Sequence, residues 1–220
     1  ITNIGDSLEL RTFCHENGHM LCDFPDLYDH GSQSYGVGNF CLMANGTSSR
    51  QPCKVSGYLK WKAGWAGTVT ELINPTTVNM SFAAANNDVV ICRSMPGATE
   101  YFVVENRYQA GWDQYLPASG LAIWHVDQSG NNSYNQMTPE FHYECSLEQA
   151  DGQWHLEHKV NTGDAQDLFY AGNNTSFRTL TTPNSLWWNN AISGLSIRNI
   201  SAPGAVMTAS ITVNGVPTAN

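Results

Sequence analysis

The sequence predicts an α+β fold in which a helix near the start of the chain precedes an antiparallel β-rich unit. The apolar residues between positions 8 and 20, which include Phe13 and Met20, recur at helical spacing. Those between positions 78 and 82 instead alternate with polar residues, as in a half-buried strand. The chain has 220 residues, of which 41% are hydrophobic, so it can bury a substantial core.

The predicted helix has a start signal and one unfavourable residue. Asp6 or Ser7 can cap its first turn, and Glu9 lies where a carboxylate interacts favourably with the helix dipole. Gly18 costs about 1 kcal/mol relative to Ala in a helix. We therefore expect another group to approach the backbone closely at Gly18.

Inside this helix the chain spells H-E-x-x-H. His15 and His19 are four residues apart, so they lie one turn apart on the same helix face and can both bind one Zn2+. Glu16 falls beside the metal, where a general base must lie to take a proton from metal-activated water. The spacing predicts a zinc site in which Glu16 is catalytic.

A catalytic zinc usually has three protein ligands and one open position, so a third ligand is expected soon after the helix. Three carboxylates follow in a short turn, at Asp23, Asp26 and Asp29, and Met43 follows in a glycine-rich segment. This order is the metzincin-type layout, which has a helix, then a sharp turn with an acidic ligand, and later a Met in a tight turn. Met43 is therefore predicted to be the Met-turn residue.

The segments HENGHMLCDFPDLYD and VGNFCLMANG resemble the immune inhibitor A family of secreted bacterial zinc metalloproteases, whose motif reads roughly H-E-x-G-H-x-L-G-x-P-D-x-Y-D. Residues 101–107, 116–117, 120–127 and 163–169 fit the same family pattern. The resemblance implies a zincin-type active-site helix, zinc as cofactor and hydrolysis of a protein or peptide substrate.

The chain departs from the family motif at the third ligand. It carries one extra residue, so that Asp26 lies eleven places after His15 and Pro25 takes the usual tenth place. Asp23 stands where the family has a turn glycine, and Asp tolerates the left-handed conformation. We assign the third ligand to Asp26, with Asp23 as the alternative, although acids near helix ends are usually caps or turn residues.

The resemblance also implies a division of the chain. Residues 1–66 would be the lower part of a zincin-like catalytic domain, residues 67–213 an antiparallel β-rich unit packed on it, and residues 214–220 a tail. The upper subdomain forms the other wall of the cleft in such proteases, and we expect it to lie outside this sequence. The expected partners are therefore a missing N-terminal portion or other subunits, in addition to the substrate.

Alternating apolar and polar residues predict the strands of the β-rich unit. Just before this unit, the helical spacing of apolar residues in 50–67 predicts a short helix. The strands are expected at 67–72, 77–82, 88–93, 100–106, 121–126, 141–148, 194–200 and 206–213. Glu105 and Arg107 share one strand face, as an ion pair or as an anchor for the metal loop. His125 and Asp127 also share a face and could form a His–carboxylate pair near the cleft. His125 is a candidate catalytic residue or a candidate hydrogen-bond partner of a zinc ligand, with a structural histidine as the alternative.

Oxygen-bearing side chains cluster around Gly163, at Asn161, Asp164 and Asp167. Ca2+ takes six to eight oxygen ligands, so these three residues are candidate calcium ligands. Their spacing is not that of an EF-hand. Calcium use among relatives of the immune inhibitor A family supports the same expectation.

Charge and composition exclude other classes of protein. The net charge is −9 and the ten Lys and Arg residues are scattered, which is unsuited to binding nucleic acid. No apolar run is long enough to span a membrane.

Six cysteines predict up to three disulfides in an extracellular protein, with six buried thiols in a reducing compartment as the alternative. They are Cys14, Cys22, Cys41, Cys53, Cys92 and Cys145. Glycosylation sequons at Asn45, Asn79, Asn131, Asn173, Asn174 and Asn199 favour secretion.

Two functional classes follow from the sequence. The first is a secreted zinc endopeptidase with ligands His15, His19 and Asp26 and with Glu16 as general base. The second is a non-catalytic extracellular structural or adhesive glycoprotein built on a metalloprotease scaffold. The intact H-E-x-x-H favours the enzyme, whereas the missing upper subdomain and the extra residue favour the scaffold.

Overall fold

A computed structural model describes residues 9–73, 75–132, 138 and 140–214. Within these residues there are two α-helices, α1 (Leu10–Cys22) and α2 (Gly57–Lys62). The eight strands are β1 (Val69–Leu72), β2 (Thr76–Ala83), β3 (Val89–Arg93), β4 (Glu100–Arg107), β5 (Gly120–Asp127), β6 (Cys145–Leu147), β7 (Leu195–Arg198) and β8 (Val206–Val213).

The predicted α+β class is wrong, because the described chain is mainly β. A five-stranded sheet has the order β1-β3-β4-β5-β6, and a three-stranded sheet has the order β2-β8-β7. Helix α1 has 13 residues and α2 has 6. Turns and short bridges rather than further α-helices fill the segment between Asp23 and Ser56. A zincin-type layer of long helices is therefore not part of this fold.

Each predicted strand has an observed counterpart, although β6 covers only three residues of the strand expected at 141–148. One pairing also differs from the expected antiparallel pattern. β1 pairs with β3 in parallel, whereas the other ladders are antiparallel. The reason is topological, since the chain leaves the five-stranded sheet after β1 to form β2 in the other sheet. It then returns as β3, and such a crossover lets two strands run in the same direction.

The two faces of the five-stranded sheet pack into two hydrophobic cores. Val103 and Trp124 face a core that includes Phe24, Met43 and Leu59. Phe102, Val104 and Ile123 point to the opposite face and pack against the three-stranded sheet. Because the first core contains residues from both 24–59 and 89–168, the two predicted halves of the chain are joined through it.

Glu105 and Arg107, predicted as an ion pair or a metal-loop anchor, act as both. Arg107 is fully buried, with Nη1 3.4 Å from the Glu105 carboxylate and Nη2 2.8 Å from Asp113. Its Nη1 also donates to the carbonyl of Phe40 at 2.6 Å, three residues before Met43. Glu105 accepts from the backbone N–H of Gly57 at 2.7 Å, at the start of α2. The charged pair therefore fastens the loop that contains Met43 to the sheet.

The start and the apolar face of α1 differ from the prediction. The cap residue is Glu9, without a side-chain cap hydrogen bond, and the predicted caps Asp6 and Ser7 lie outside the described residues. Phe13 and Met20, predicted as core positions, are 49% and 74% exposed. Helix α1 thus turns its histidine face, rather than its most apolar residues, toward the rest of the described molecule.

The predicted disulfides are not formed, because all six cysteines are free thiols. Cys14 and Cys22 are eight residues apart on α1, which separates them by about 12 Å along the axis, whereas a disulfide needs Cα atoms within about 7 Å. Cys92 packs in the second core, away from Cys41, Cys53 and Cys145 in the first. In the described part of the chain, no helix is both long and apolar enough to cross a bilayer.

Candidate metal centre

Helix α1 brings two imidazoles together at its C-terminal end. The Nε2 atoms of His15 and His19 are 3.1 Å apart, as expected for residues one turn apart on the same face. Their rings meet edge to face, with centroids 4.8 Å apart. The two nitrogens therefore point to one shared position, and the predicted pairing of His15 with His19 is present in the fold.

A left-handed turn after α1 delivers the third donor. Asp23 caps the helix with φ 52° and ψ 41°, and its N–H bonds to the carbonyl of His19. Asp tolerates this conformation because its short polar side chain limits the steric penalty. The reversed chain then places Asp26 Oδ1 3.0 Å from His15 Nε2 and 3.1 Å from His19 Nε2.

The three donor atoms form a triangle that fits a tetrahedral zinc site. Its edges are 3.0–3.1 Å. Ligand atoms about 2.0 Å from a tetrahedral zinc lie about 3.3 Å from one another, so small ring movements would produce the required face of a tetrahedron. One position of the tetrahedron would remain open.

Backbone carbonyls select the tautomer of both histidines. His15 Nδ1 lies 3.0 Å from the Leu42 carbonyl, and His19 Nδ1 lies 2.6 Å from the Phe24 carbonyl. A carbonyl oxygen only accepts, so each Nδ1 must carry the proton in the hydrogen bond. In the neutral imidazoles both Nε2 atoms then keep a free lone pair for a metal ion.

Glu16 lies next to this triangle but is not one of its members. Its side chain is exposed, and among the described residues it accepts no hydrogen bond. Burial, the carboxylate of Asp26 and, more weakly, that of Glu16 raise the pKa of Tyr28. Glu16 thus lies near the donor triangle with an exposed carboxylate.

Gly18 and Met43 form the floor of the site. A Cβ added to Gly18 would lie 2.8 Å from Met43 Sδ and 3.3 Å from a ring carbon of Phe24. Met43 is fully buried, and its carbonyl accepts from the backbone N–H of Leu27 at 2.7 Å. The expectation that Gly18 permits a close approach is confirmed, and the approaching group is the predicted Met-turn residue.

The sequence analysis missed two residues of this site. Tyr28 stacks on the His15 ring with centroids 6.2 Å apart, and it packs in a tilted arrangement against the His30 ring at 5.1 Å. His30 Nε2 lies 3.4 Å from Asp26 Oδ2, whereas Oδ1 is the oxygen that contacts His15 and His19. Their positions, two and four residues after Asp26 in the sequence, could have indicated that both side chains lie near the third donor.

The other two aspartates between residues 23 and 29 stabilise the turn after α1. Asp23, the alternative third ligand, is exposed at the helix end and is not part of the donor triangle. Asp29 is buried and accepts backbone N–H groups from Gly31, Gln33 and Ser34 at 2.7–2.9 Å. Both therefore shape the loop that carries Asp26.

The structure does not bring His125 to the metal ligands. Alternation along β5 directs its side chain to the face that packs against the second sheet, opposite Trp124 and the core beneath the metal site. Its carboxylate partners are Glu100 at 2.9 Å and Glu148 at 3.2 Å rather than Asp127. Although burial alone would lower it, the pKa of His125 is raised by hydrogen bonds to these two glutamates.

Asp127, expected to pair with His125, instead lies 2.9 Å from His142. His125 and His142 both stack on Trp188, with centroids 4.9 and 4.5 Å away. These contacts suit a structural histidine, which was the alternative interpretation, and the catalytic role of His125 stays a prediction.

The candidate calcium ligands lie together in the loop 151–167. Asp167 Oδ2 accepts from the backbone N–H of Asp164 at 2.7 Å. The Asn161 amide donates to Asp164 at 2.8 Å, and its oxygen accepts from Gly163 at 2.8 Å. Asn161 therefore helps to close the loop, and its role as a calcium ligand stays a prediction.

The sequons differ in exposure. Asn79, Asn131 and Asn199 are exposed, whereas Asn45, Asn173 and Asn174 are partly buried. The Asn173 amide nitrogen donates to two carbonyls, those of Gln166 and Leu168. A glycan on that nitrogen would replace one of the donated hydrogens, so Asn173 is less suited to modification than the exposed sites.

No protein-family model matches this sequence, and no curated protein matches it either.

Proposed function

We propose that this chain is a zinc-dependent endopeptidase, secreted from the cell and related to the immune inhibitor A proteases. The supporting observation is the convergence of His15, His19 and Asp26 on one position, within 3.0–3.1 Å of each other. The family relationship and the extracellular location rest on the sequence motifs and sequons.

The electrostatics of the triangle favour a cation. When the two imidazoles are neutral, their Nδ1 atoms donate to carbonyls and their Nε2 lone pairs point toward the carboxylate of Asp26. Three acceptor lone pairs at this separation repel one another unless a proton or a metal ion lies between them. Zn2+ binds this combination of nitrogen and oxygen donors in hydrolases that use a two-His, one-carboxylate site.

Each residue of the site has a separate task in this proposal. Bound zinc would act as a Lewis acid toward the substrate carbonyl and would acidify water. Glu16 accepts the proton of the attacking water and passes it to the leaving amine, which suits its exposed carboxylate. The carbonyls of Leu42 and Phe24 hold the two imidazoles in place, and Met43 supports them from below.

Replacement of Glu16 with Gln tests the proposal. We expect Glu16→Gln to lower the rate of labelled-casein hydrolysis about 10²- to 10⁴-fold, because it removes the general base. The zinc content by elemental analysis should stay at one ion per chain, since Glu16 is not a ligand. Asp26→Asn should instead reduce the zinc content.

The matched control is Glu9→Gln, a glutamate at the other end of α1, which should leave hydrolysis unchanged. Equal hydrolysis by wild type and Glu16→Gln, or purified wild-type protein that takes up no zinc, would contradict the proposal.

A further inference from the structure

A cavity of about 410 Å³ lies beside strands β5 and β6. His125 and Ser146, which are paired across these two strands, form part of its wall, and residues from 154–158 and 184–190 complete it. Small-molecule sites in proteins typically have volumes of about 300–1,000 Å³, so the cavity is large enough for a ligand. It shares no lining residue with the donor triangle of α1 and has no part in the proposed hydrolysis.

Three tryptophans line the cavity, and two of them are held in place by other rings. Trp187 stacks on Phe102 with centroids 5.2 Å apart, and Trp188 stacks on His125 at 4.9 Å. The third, Trp154, has φ 56°, a left-handed conformation that is rare for a large side chain. Backbone strain of this kind is concentrated at functional sites, which is consistent with a ligand contact at Trp154.

The charged side chains around the cavity leave an excess of negative charge. Glu148 and Glu157 line it, and no Lys or Arg is among its described lining residues. His125 lies between two glutamates, with Nε2 2.9 Å from Glu100 and Nδ1 3.2 Å from Glu148. A carboxylate only accepts, so both ring nitrogens donate and the ring is an imidazolium. Its single positive charge offsets only one of the two glutamates.

The carboxyl group of Glu157 responds to the same excess. Burial, together with the charges of Glu148 and Asp167, raises the pKa of Glu157 to about 8. The pKa stays high even though the side-chain amide of Gln149 donates to this carboxylate. A positive charge bound in the cavity would favour the ionised form of Glu157.

We propose that the cavity binds an alkylammonium group, such as the end of a lysine side chain, between its tryptophan rings and the carboxylates of Glu148 and Glu157. The face of an aromatic ring attracts a cation, and tryptophan gives the strongest interaction of this kind. The alkyl stem of such a ligand can pack along the same rings, which a bare metal ion cannot do.

The cavity is accessible, and the neighbouring lysine of the chain does not occupy it. His158 and Asn190, which both line the cavity, are exposed, so a ligand can enter from solvent. Lys159 follows His158 in the sequence, but its Nζ donates to the carbonyl of Ser32. The ammonium group must therefore come from another molecule.

Calorimetric titration of the full chain with N-acetyl-lysine methylamide tests this inference, with N-acetyl-norleucine methylamide as the neutral match. At pH 9 Glu157, whose pKa is about 8, is mainly ionised, and a lysine side chain with a pKa of about 10.4 is still charged. We expect saturable binding of the lysine derivative, about tenfold or more tighter than binding of the norleucine derivative. EDTA is present throughout, so the result does not depend on zinc.

Two substitutions locate the site. Glu157→Gln should weaken binding of the lysine derivative about tenfold, because the amide keeps the shape of the side chain but not its charge. Trp154→Leu should weaken it about five- to tenfold, because it removes an aromatic face. The matched controls are Glu9→Gln on α1 and Trp112→Leu at an exposed tryptophan outside the cavity, which should both keep wild-type affinity. The thermal unfolding midpoint shows whether each variant is folded.

Absence of saturable binding of the lysine derivative to the wild type would overturn the inference, whatever the variants do. Equal binding of the norleucine derivative would also overturn it, because the cavity would then not recognise charge. Binding of methyl β-glucoside but not of the lysine derivative would overturn it in favour of a sugar site. Unchanged affinity in folded Glu157→Gln and Trp154→Leu would do the same, because the cation would then bind elsewhere.

Discussion

At the scale of single residues, Gly18 illustrates how tertiary packing beside the candidate metal centre constrains the sequence. A glycine in a helix interior is unfavourable by about 1 kcal/mol. Here it leaves room for Met43, whose Sδ would lie 2.8 Å from an added Cβ. The local cost therefore permits a tertiary contact between Gly18 and Met43, next to His15 and His19.

We predict that Gly18→Ala lowers the free energy of unfolding by about 1 kcal/mol. The expected overpacking penalty of about 1–3 kcal/mol exceeds the gain in helix propensity, because Met43 is fully buried and cannot move freely. Urea denaturation of the purified variants measures the change.

The control is the same substitution in a Met43→Ala background. Without the Met43 side chain, Gly18→Ala should become stabilising by up to about 1 kcal/mol. A Gly18→Ala variant that is more stable than the wild type would show that the contact does not limit this position.

At the scale of elements, β4 links the sheet to the metal loop through buried charges. Arg107 contacts Asp113 with two nitrogens, at 2.8 and 3.1 Å. Although burial opposes it, the charge of Arg107 lowers the pKa of Asp113. Buried pairs of this kind contribute little net stability when intact, but removal of one partner costs about 3–5 kcal/mol.

We predict that this pair makes the fold sensitive to acid. Because the folded pKa of Asp113 lies below its unfolded value, its contribution is present above about pH 4 and is lost as the pH falls through the folded pKa. Urea denaturation between pH 5 and pH 2 should show a falling free energy of unfolding. Asp113→Asn should be less stable at pH 5 and should show a shallower fall, whereas parallel curves would contradict this role.

At the scale of the whole molecule, two packed cores take the place of the expected cross-links. Cys41, Cys53 and Cys145 lie in one core and Cys92 in the other, all buried. Burial raises the pKa of Cys53 and of Cys92 to about 12. These buried thiols are therefore protonated and unreactive in the native protein.

We predict that reducing agent leaves the thermal unfolding midpoint unchanged. A thiol reagent should modify at most Cys14 and Cys22 in the native chain and all six cysteines after unfolding, because only these two are partly exposed. Intact mass spectrometry without reductant provides the check. A mass lower by two hydrogens for each bridge would show that disulfides form.

The sequence by itself determined the features that depend on local geometry. Helical period places His15 and His19 on one face, and alternation locates the strands with errors of only a few residues at their ends. Asp26 was chosen over Asp23 from the motif, and the left-handed turn at Asp23 brings Asp26 to the two histidines.

Only the tertiary structure decided which distant groups meet. The fold class, the free thiols, the face occupied by His125 and the contact between Gly18 and Met43 depend on long-range packing of strands and loops. A period of two shows that His125 and Asp127 share a face, but it cannot show which face contacts the metal loop. That choice follows from how two sheets bury their apolar sides, which involves residues far apart in the chain.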